Sequence, residues 1–107
     1  MNSKLNLIQN WPKLAMEANW SAAALAKKCG VSLRTLEKHF LDHLGKSPMA
    51  WLREDRMRRA DELLRDDSSV KEAANRLGFT KQNNFSREFK RQKGYPPAQY
   101  RVRQIGI

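Results

Sequence analysis

The chain has 107 residues, of which 40% are hydrophobic and 30% are charged, a balance that is typical of a globular protein and not of a disordered one. Its 21 lysine and arginine residues outnumber 11 acidic residues, so the net charge is +10 and a polyanion is the expected partner. The single cysteine, the lack of an apolar leader and the lack of a run of roughly 20 apolar residues predict a cytoplasmic protein without a membrane partner.

Apolar residues recur at the helical spacing of three and four positions, and no stretch alternates as a strand would, so we predict an all-α fold of about seven helices. Pro12 is expected in the first turn of an opening helix that runs to about Ala18. Ser21 and Ser32 are the predicted N-caps of the next two helices. The helix after Ser21 must end at Cys29-Gly30, because glycine supplies the positive φ of the position after a helix.

The helix after Ser32 has apolar residues at Leu36, Phe40, Leu41 and Leu44, of which Leu36, Phe40 and Leu44 are assigned to the core. Ser47-Pro48 is expected to open a long helix to about Leu64, since serine is a good N-cap and proline is tolerated in the first turn. Ser69 and Glu72 have the spacing of a capping box at the start of the following helix. Thr80 is the predicted N-cap of the last helix, which ends at Gly94.

The second half of the chain repeats the first half. With an offset of 48 residues, Ala26 and Gly30 correspond to Ala74 and Gly78. Beyond the turn the offset is 49, so one half has an extra residue near the turn. The matched pairs there are Leu36 with Phe85, Phe40 with Phe89, Gly45 with Gly94, Pro48 with Pro97 and Trp51 with Tyr100. Each copy is predicted as helix, glycine-containing turn and helix, the pattern of a helix-turn-helix motif, although a generic helical hairpin has the same spacing.

The repeat predicts three parts: a first helix-turn-helix lobe at residues 1–46, a connecting helix at 47–65 and a second helix-turn-helix lobe at 66–107. The connecting helix should extend about 25 Å at about 1.5 Å per residue. With the widths of the lobes added, the second helices of the two motifs could lie roughly 34 Å apart, which is one turn of B-DNA. Arginines of this helix are expected to face phosphates or to pair with its acidic residues.

The second helix of each motif carries polar residues on the side that faces away from the predicted core. These residues are Arg34, Thr35, Glu37, Lys38 and His39 in the first motif, and Gln82, Asn83, Ser86 and Arg87 in the second. Arginine and lysine bind guanine edges, asparagine and glutamine bind adenine edges, and glutamate accepts from cytosine. A solvated helix face also favours polar residues, but helix propensity gives no reason for the amide run from Gln82 to Asn84.

Three stretches of the second half carry a resemblance to a known family: Ala74-Asn75-Arg76-Leu77-Gly78-Phe79, Phe85-Ser86-Arg87-Glu88-Phe89-Lys90, and Gly94-Tyr95-Pro96-Pro97 followed by Tyr100-Arg101. The first half agrees more loosely, through Leu25-Ala26, Gly30-Val31-Ser32, Leu36, Phe40, Gly45, Ser47-Pro48 and Arg56. Residues from about 21 to 101 thus resemble the DNA-binding domain of AraC/XylS-type bacterial transcription regulators. The resemblance implies a nucleoid-associated protein that places two recognition helices in successive major grooves of double-stranded DNA.

With the positions carried over, the DNA-contact candidates are Arg34, Thr35, Glu37, Lys38, Lys81, Gln82, Asn83, Asn84, Ser86 and Arg87. Lys81 and Asn84 stand where many members have an acidic and an aromatic residue, so the second helix is expected to read a different sequence or to rely more on phosphate. Pro12 is unusual in the family's first helix, which is therefore expected to be short. Members commonly carry a sensor or dimerisation domain ahead of this part; these 107 residues hold no effector domain, which leaves open a stand-alone regulator or part of a larger one.

Other function classes find less support in the sequence. We expect no enzyme, because no Ser-His-Asp set, glycine-rich phosphate loop or isolated carboxylate pair is present. We expect no cofactor and no metal, since His39 and His43 are two ligands without a third at ligand spacing. Cys29 is expected to be a small buried residue at the turn and not a redox sensor. The alternatives left open are a protein-interaction module, with RNA polymerase as the candidate partner, and a basic protein that binds nucleic acid without sequence preference.

Overall fold

A computed structural model describes residues 3–100, with side chains from Leu5 onward. Within that range the fold is all-α, as predicted, with seven α-helices and no strand. The helices are α1 (Ser3–Asn6), α2 (Trp11–Glu17), α3 (Ala22–Lys28), α4 (Leu33–Leu44), α5 (Pro48–Arg65), α6 (Val70–Arg76) and α7 (Gln82–Lys93), followed by a 3₁₀ turn at Pro97–Gln99. Arg101, the last residue of the family-like stretches, and the tail after it lie outside the described residues.

Serine hydroxyls begin four of these helices, as the sequence predicts. Each hydroxyl accepts a hydrogen bond from the backbone N–H three residues later; the distances are 3.2 Å at Ser21, 3.1 Å at Ser32, 3.1 Å at Ser47 and 3.0 Å at Ser69. Glu72 Oε1 also accepts from the Ser69 N–H at 3.0 Å and completes the predicted capping box. Each such cap stabilises its helix by about 1 kcal/mol relative to alanine, because it satisfies a backbone donor that the helix cannot.

The chain forms two compact units, which divide between Arg56 and Met57, inside α5. The predicted boundaries of the lobes, which treat the long helix as a separate connector, stay a prediction.

Aromatic rings fill the core of the first unit. Phe40 has only 1% of its surface exposed, and the ring centroids of Trp11 and Trp51 lie 5.0 and 5.6 Å from its own. A buried polar contact supports this core, since the Trp20 indole donates to Asp55 Oδ2 at 3.1 Å. The Arg56 guanidinium lies 5.5 Å from the centre of the Trp20 ring, within reach of a cation–π attraction.

The core of the second unit is built around Phe85 and Phe89, both fully buried. Their ring centroids are 5.8 Å apart, and Phe79 and Tyr95 approach them to 5.4 and 5.9 Å in the same edge-on or tilted manner. Tyr100 is buried against Phe89 at 6.2 Å. Offset and edge-on ring pairs are favoured by the ring quadrupole, so this cluster stabilises the register of α7 beyond its buried area.

Two of the predictions about these helices are wrong. The sequence assigns Leu44 to the core, but 49% of its surface is exposed, because the buried side of α4 ends at Phe40 and every later residue of the helix is exposed. Thr80 was the predicted N-cap of the last helix, but α7 begins one residue later, with Lys81 at the N-cap and no side-chain hydrogen bond there. α7 therefore lacks the local support that the four serines give to other helices.

The long helix carries ion pairs on its exposed side. Arg58 and Arg59 each donate to the carboxylate of Glu62 at 3.0 Å, and the hydrogen bond from Arg59 lowers the pKa of Glu62. Glu54 pairs at 2.8 Å with Lys46, which precedes the helix. The expectation that arginines of this helix pair with its acidic residues is thus confirmed for Arg58 and Arg59.

Candidate DNA interface

Two helix-turn-helix motifs have the same backbone hydrogen bonds. The first motif is α3, its turn and α4, and the second motif is α6, its turn and α7. Three turn N–H groups donate in the first motif, from Cys29 to Leu25 O (3.0 Å), Gly30 to Lys27 O (3.1 Å) and Val31 to Ala26 O (3.1 Å). The residues 48 positions later repeat them, from Leu77 to Ala73 O (3.0 Å), Gly78 to Asn75 O (3.1 Å) and Phe79 to Ala74 O (3.0 Å).

After the turn the equivalent positions are 49 residues apart. The N-caps Ser32 and Lys81 have this offset, as do Gly45 and Gly94, which end α4 and α7 in the left-handed conformation. Both helices are 12 residues long. Thr80 is therefore the extra residue that the repeat predicts, and its insertion explains why it does not cap α7.

The recognition helix of the first motif exposes Arg34 and Lys38 on one strip. Leu36 and Phe40 are buried, and the helical period of 100° per residue places Arg34 and Lys38 on the opposite side. Lys38 Nζ is bound to Asp42 Oδ2 at 3.0 Å, so this lysine is held by its own helix. Arg34 forms no side-chain hydrogen bond or ion pair with any residue between 3 and 100, which leaves it open to a ligand.

Two further candidates of this helix differ in exposure. Glu37 is exposed, with no hydrogen bond or ion pair to the part of the chain that the structure describes. Thr35 is half-buried, and its hydroxyl accepts from the Ser32 hydroxyl at 3.0 Å while its N–H donates to the same oxygen. Thr35 therefore supports the start of α4, which limits what its side chain can offer to a ligand.

The recognition helix of the second motif exposes five of its six candidates. Phe85 and Phe89 point to the core, and the exposed candidates are Lys81, Gln82, Asn83, Asn84 and Arg87, while Ser86 is half-buried. None of the five exposed side chains bonds to another described residue. Asn83 and Arg87 lie one helical turn apart on the strip opposite the phenylalanines, where Arg34 and Lys38 lie in the first motif.

Lys90 extends the exposed strip of α7 and was not among the predicted candidates. It is exposed, stands three residues after Arg87 and has no side-chain partner among the residues that the structure describes. The other basic residues at this end are engaged: Arg91 pairs with Glu88 at 3.4 Å and Lys93 with Asp61 at 2.6 Å. The spacing of four and three residues from Asn83 to Arg87 and Lys90 is the sequence signal that identifies Lys90 as part of the same strip.

The two histidines lie in α4, and the single cysteine lies in the turn that precedes it. His39 and His43 stack with centroids 4.2 Å apart, and the His43 Nδ1–H donates to the His39 carbonyl oxygen at 3.0 Å. Burial lowers the pKa of His39, with a further contribution from His43. Cys29 lies at the first turn but is half-buried and not fully buried as predicted; burial raises the pKa of its thiol against the opposing charge of Lys28.

In the described range, no three histidine, cysteine or acidic side chains come together in a way that could hold a metal ion. Over the same residues, no helix has the length and apolar character needed to cross a membrane.

Comparisons with known proteins agree with this geometry. A model of the helix-turn-helix domain family matches residues 25–103. The HTH-type transcriptional activator RhaS of Escherichia coli O139:H28 (strain E24377A / ETEC) is 36% identical over 108 residues, which cover 98% of this chain and 38% of RhaS. This chain thus spans less than half the length of the curated relatives that it matches.

Two solved structures have the same fold. The DNA-binding domain of the global transcriptional factor AdpA, solved with a target DNA, is 34% identical with a TM-score of 0.72, covering 84% of this chain and 85% of that one. An AraC-type transcriptional regulator from Chromobacterium violaceum is 26% identical with a TM-score of 0.73, covering 88% of each chain. These relatives are named as transcription regulators and not as enzymes, in agreement with the expectation from the sequence. The chain therefore belongs to the helix-turn-helix family of AraC/XylS-type DNA-binding domains.

Proposed function

We propose that this chain is a sequence-specific regulator of transcription that binds double-stranded DNA through α4 and α7. The observation that carries the proposal is the duplicated helix-turn-helix backbone, in which each second helix exposes base-reading side chains opposite a buried aromatic core. In such motifs the second helix enters the major groove and its first turns contact base edges. The AdpA domain, which shares the fold, was solved with its target DNA, and this supports the same class of ligand here.

The proposed contacts follow from the chemistry of the exposed side chains. Arg34 and Arg87 have the fork geometry that binds guanine O6 and N7, and Asn83 suits adenine N6 and N7. Glu37 can accept from cytosine N4. The remaining candidates, Thr35, Lys38, Lys81, Gln82, Asn84 and Ser86, flank these positions and would contact neighbouring bases or phosphates.

We propose that the two helices occupy successive major grooves, whose centres are about 34 Å apart on one face of B-DNA. A single chain would then recognise a site with two blocks of specified bases. Most helix-turn-helix proteins bind two such blocks only as a dimer. The duplication would let a single chain bind both blocks and so reach the specificity of a regulator. A nucleoid location and a contact with RNA polymerase stay predictions.

The test is selection of binding sites from random duplex DNA by the purified chain. We expect an enriched motif with two blocks about one helical turn apart. Replacing Arg34 with alanine should relax the preference in one block only, and Arg87→Ala should relax it in the other, each at a cost of about 1 to 3 kcal/mol on the selected site.

The control is a duplex of the same length and unrelated sequence. A basic protein without sequence preference would enrich no motif, and its alanine variants would lose equal affinity for every duplex. That result would refute sequence-specific regulation and leave only charge-driven binding.

A further inference from the structure

The two recognition helices have different charges on equivalent backbones. α4 carries two basic and two acidic residues, without its histidines, whereas α7 carries four basic residues and one acidic residue. At the third turn of the exposed strip, α4 has Leu41, with 61% of its surface exposed, where α7 has Lys90. The next equivalent pair is Asp42 in α4 and Arg91 in α7.

Pairing inside each helix increases this difference. In α4, Asp42 holds Lys38 at 3.0 Å, so Arg34 is the one basic side chain of that helix without a partner among the described residues. In α7, by the same measure, Arg87 and Lys90 are both unpaired. A phosphate that approaches α7 thus meets two free cations, and one that approaches α4 meets a single free cation beside a leucine and a carboxylate.

We propose that Lys90 binds a phosphate of the DNA backbone and that the first motif has no counterpart to this contact, so that the salt-dependent part of DNA affinity comes mainly from the second motif. This inference rests on the proposed function. Lys90 lies about 12 Å along the helix from Gln82, at about 1.5 Å per residue, beyond the turns that reach base edges. A flexible ammonium at that distance suits the phosphates that flank a groove, which fix position without reading sequence.

The experiment uses two single substitutions at the equivalent positions of the full chain: Lys90→Gln removes the lysine of α7, and Leu41→Lys introduces one in α4. Affinities are measured by fluorescence anisotropy on the selected duplex and on an unrelated duplex between 50 and 200 mM salt. Lys13→Gln is the matched control, because it removes the same charge from an exposed position of α2, outside both motifs. Circular dichroism melts check that each variant is folded.

The slope of log affinity against log salt is negative, and each phosphate contact that is lost makes it less steep by about 0.9. We expect the slope of Lys90→Gln to be less steep by about 0.9. Over this fourfold salt range its affinity should therefore fall about 3.5-fold less than that of the original chain. The sequence preference should stay unchanged, because the loss should be equal on both duplexes. Leu41→Lys should gain a similar slope, and Lys13→Gln should leave the slope as it is.

Several outcomes would overturn the inference. An unchanged slope in Lys90→Gln would mean that Lys90 does not contact phosphate, and a loss at one base position of the selected site would mean that it reads sequence. An unchanged slope in Leu41→Lys would mean that the two third turns do not face DNA alike. If the original chain binds no duplex at all, the proposed function fails as well, which separates that failure from a failure of the Lys90 assignment alone.

Discussion

The first and second helix-turn-helix motifs have the same backbone and buried core positions but different exposed faces. Phe40 and Phe89 occupy the same core position, 49 residues apart, and the glycine after each helix adopts the same conformation. The exposed equivalents differ at almost every position, with Arg34 against Asn83 and Leu41 against Lys90. Packing therefore constrains the buried half of each motif, while the exposed half is free to fit two different stretches of a ligand.

The motifs also differ in how α4 and α7 begin. Ser32 caps α4 with its hydroxyl, whereas Lys81 at the equivalent position of α7 provides no cap. The turn of the second motif is one residue longer because of Thr80. The start of α7 thus depends more on the aromatic core, and less on local hydrogen bonds, than the start of α4.

The largest effect that compares the two motifs should come from Phe40→Ala and Phe89→Ala. Each removes a fully packed ring from the core of its own unit and should lower the free energy of unfolding by about 3 to 5 kcal/mol. Urea unfolding followed by circular dichroism measures the loss. All three tryptophans lie in the first unit, so their fluorescence reports on that unit separately. An unchanged midpoint in Phe89→Ala would show that the register assigned to α7 is wrong.

Removal of the cap tests the second difference. Ser32→Ala should lower the free energy of unfolding by about 1 kcal/mol, because the Thr35 N–H loses its acceptor. Lys81→Ala should change it by much less, since no hydrogen bond is lost there. Urea unfolding without DNA provides both values. Equal losses in the two variants would contradict the difference in capping.

The ion pair in α4 can be released by Asp42→Asn. An exposed pair at this spacing contributes about 0.5 kcal/mol or less, so the stability should barely change. Lys38 becomes free to meet DNA, and the salt slope of binding should steepen by up to about 0.9. Asp66→Asn removes the same charge from an exposed turn of the second unit and serves as control. A steeper slope in the control alone, or in neither variant, would count against a role for Lys38 at the interface.

The smallest expected effect is the dependence of stability on pH. It should arise in the first motif, because α4 contains both histidines of the chain and α7 contains none. The folded state lowers the pKa of His39 through burial and the nearby His43, against a smaller opposing effect of Asp42. As the pH falls through about 6.5, the unfolded chain gains a proton that the folded chain resists, so stability should decrease.

Thermal melts between pH 7.5 and 5.5 measure this decrease, and His39→Gln should reduce it. A melting temperature that rises toward pH 5.5 would contradict the direction of the pKa shift.

Local signals explain most of what the sequence predicted correctly. Serine caps, the capping box and glycine turns depend on residues within four positions of one another, so they can be recognised without tertiary structure. The duplication supports the assignment of these helices and turns, because each element of the motif is present in both halves of the chain. The all-α fold and the family followed from these signals.

Tertiary context explains the errors. Phe79 packs against Phe85 across the turn, and Thr80 follows it as an extra residue before the N-cap of α7, a tertiary contact that the sequence alone does not show. The exposure of Leu44 depends on where the core ends, which a helical period does not reveal. The pair between Lys93 and Asp61 joins residues 32 positions apart and has no local signature.

The DNA-contact residues remain a prediction, because a polar side chain on a solvated face and one on a DNA-reading face are the same in sequence.

The central claim is that both recognition helices contact one DNA duplex. Hydroxyl-radical footprinting of the full chain on its selected site tests this most directly, since it maps the protected backbone nucleotide by nucleotide. We predict two protected stretches on one face of the duplex, with centres about 10 base pairs apart. A single protected stretch would contradict the claim and would mean that only one of the two motifs engages DNA.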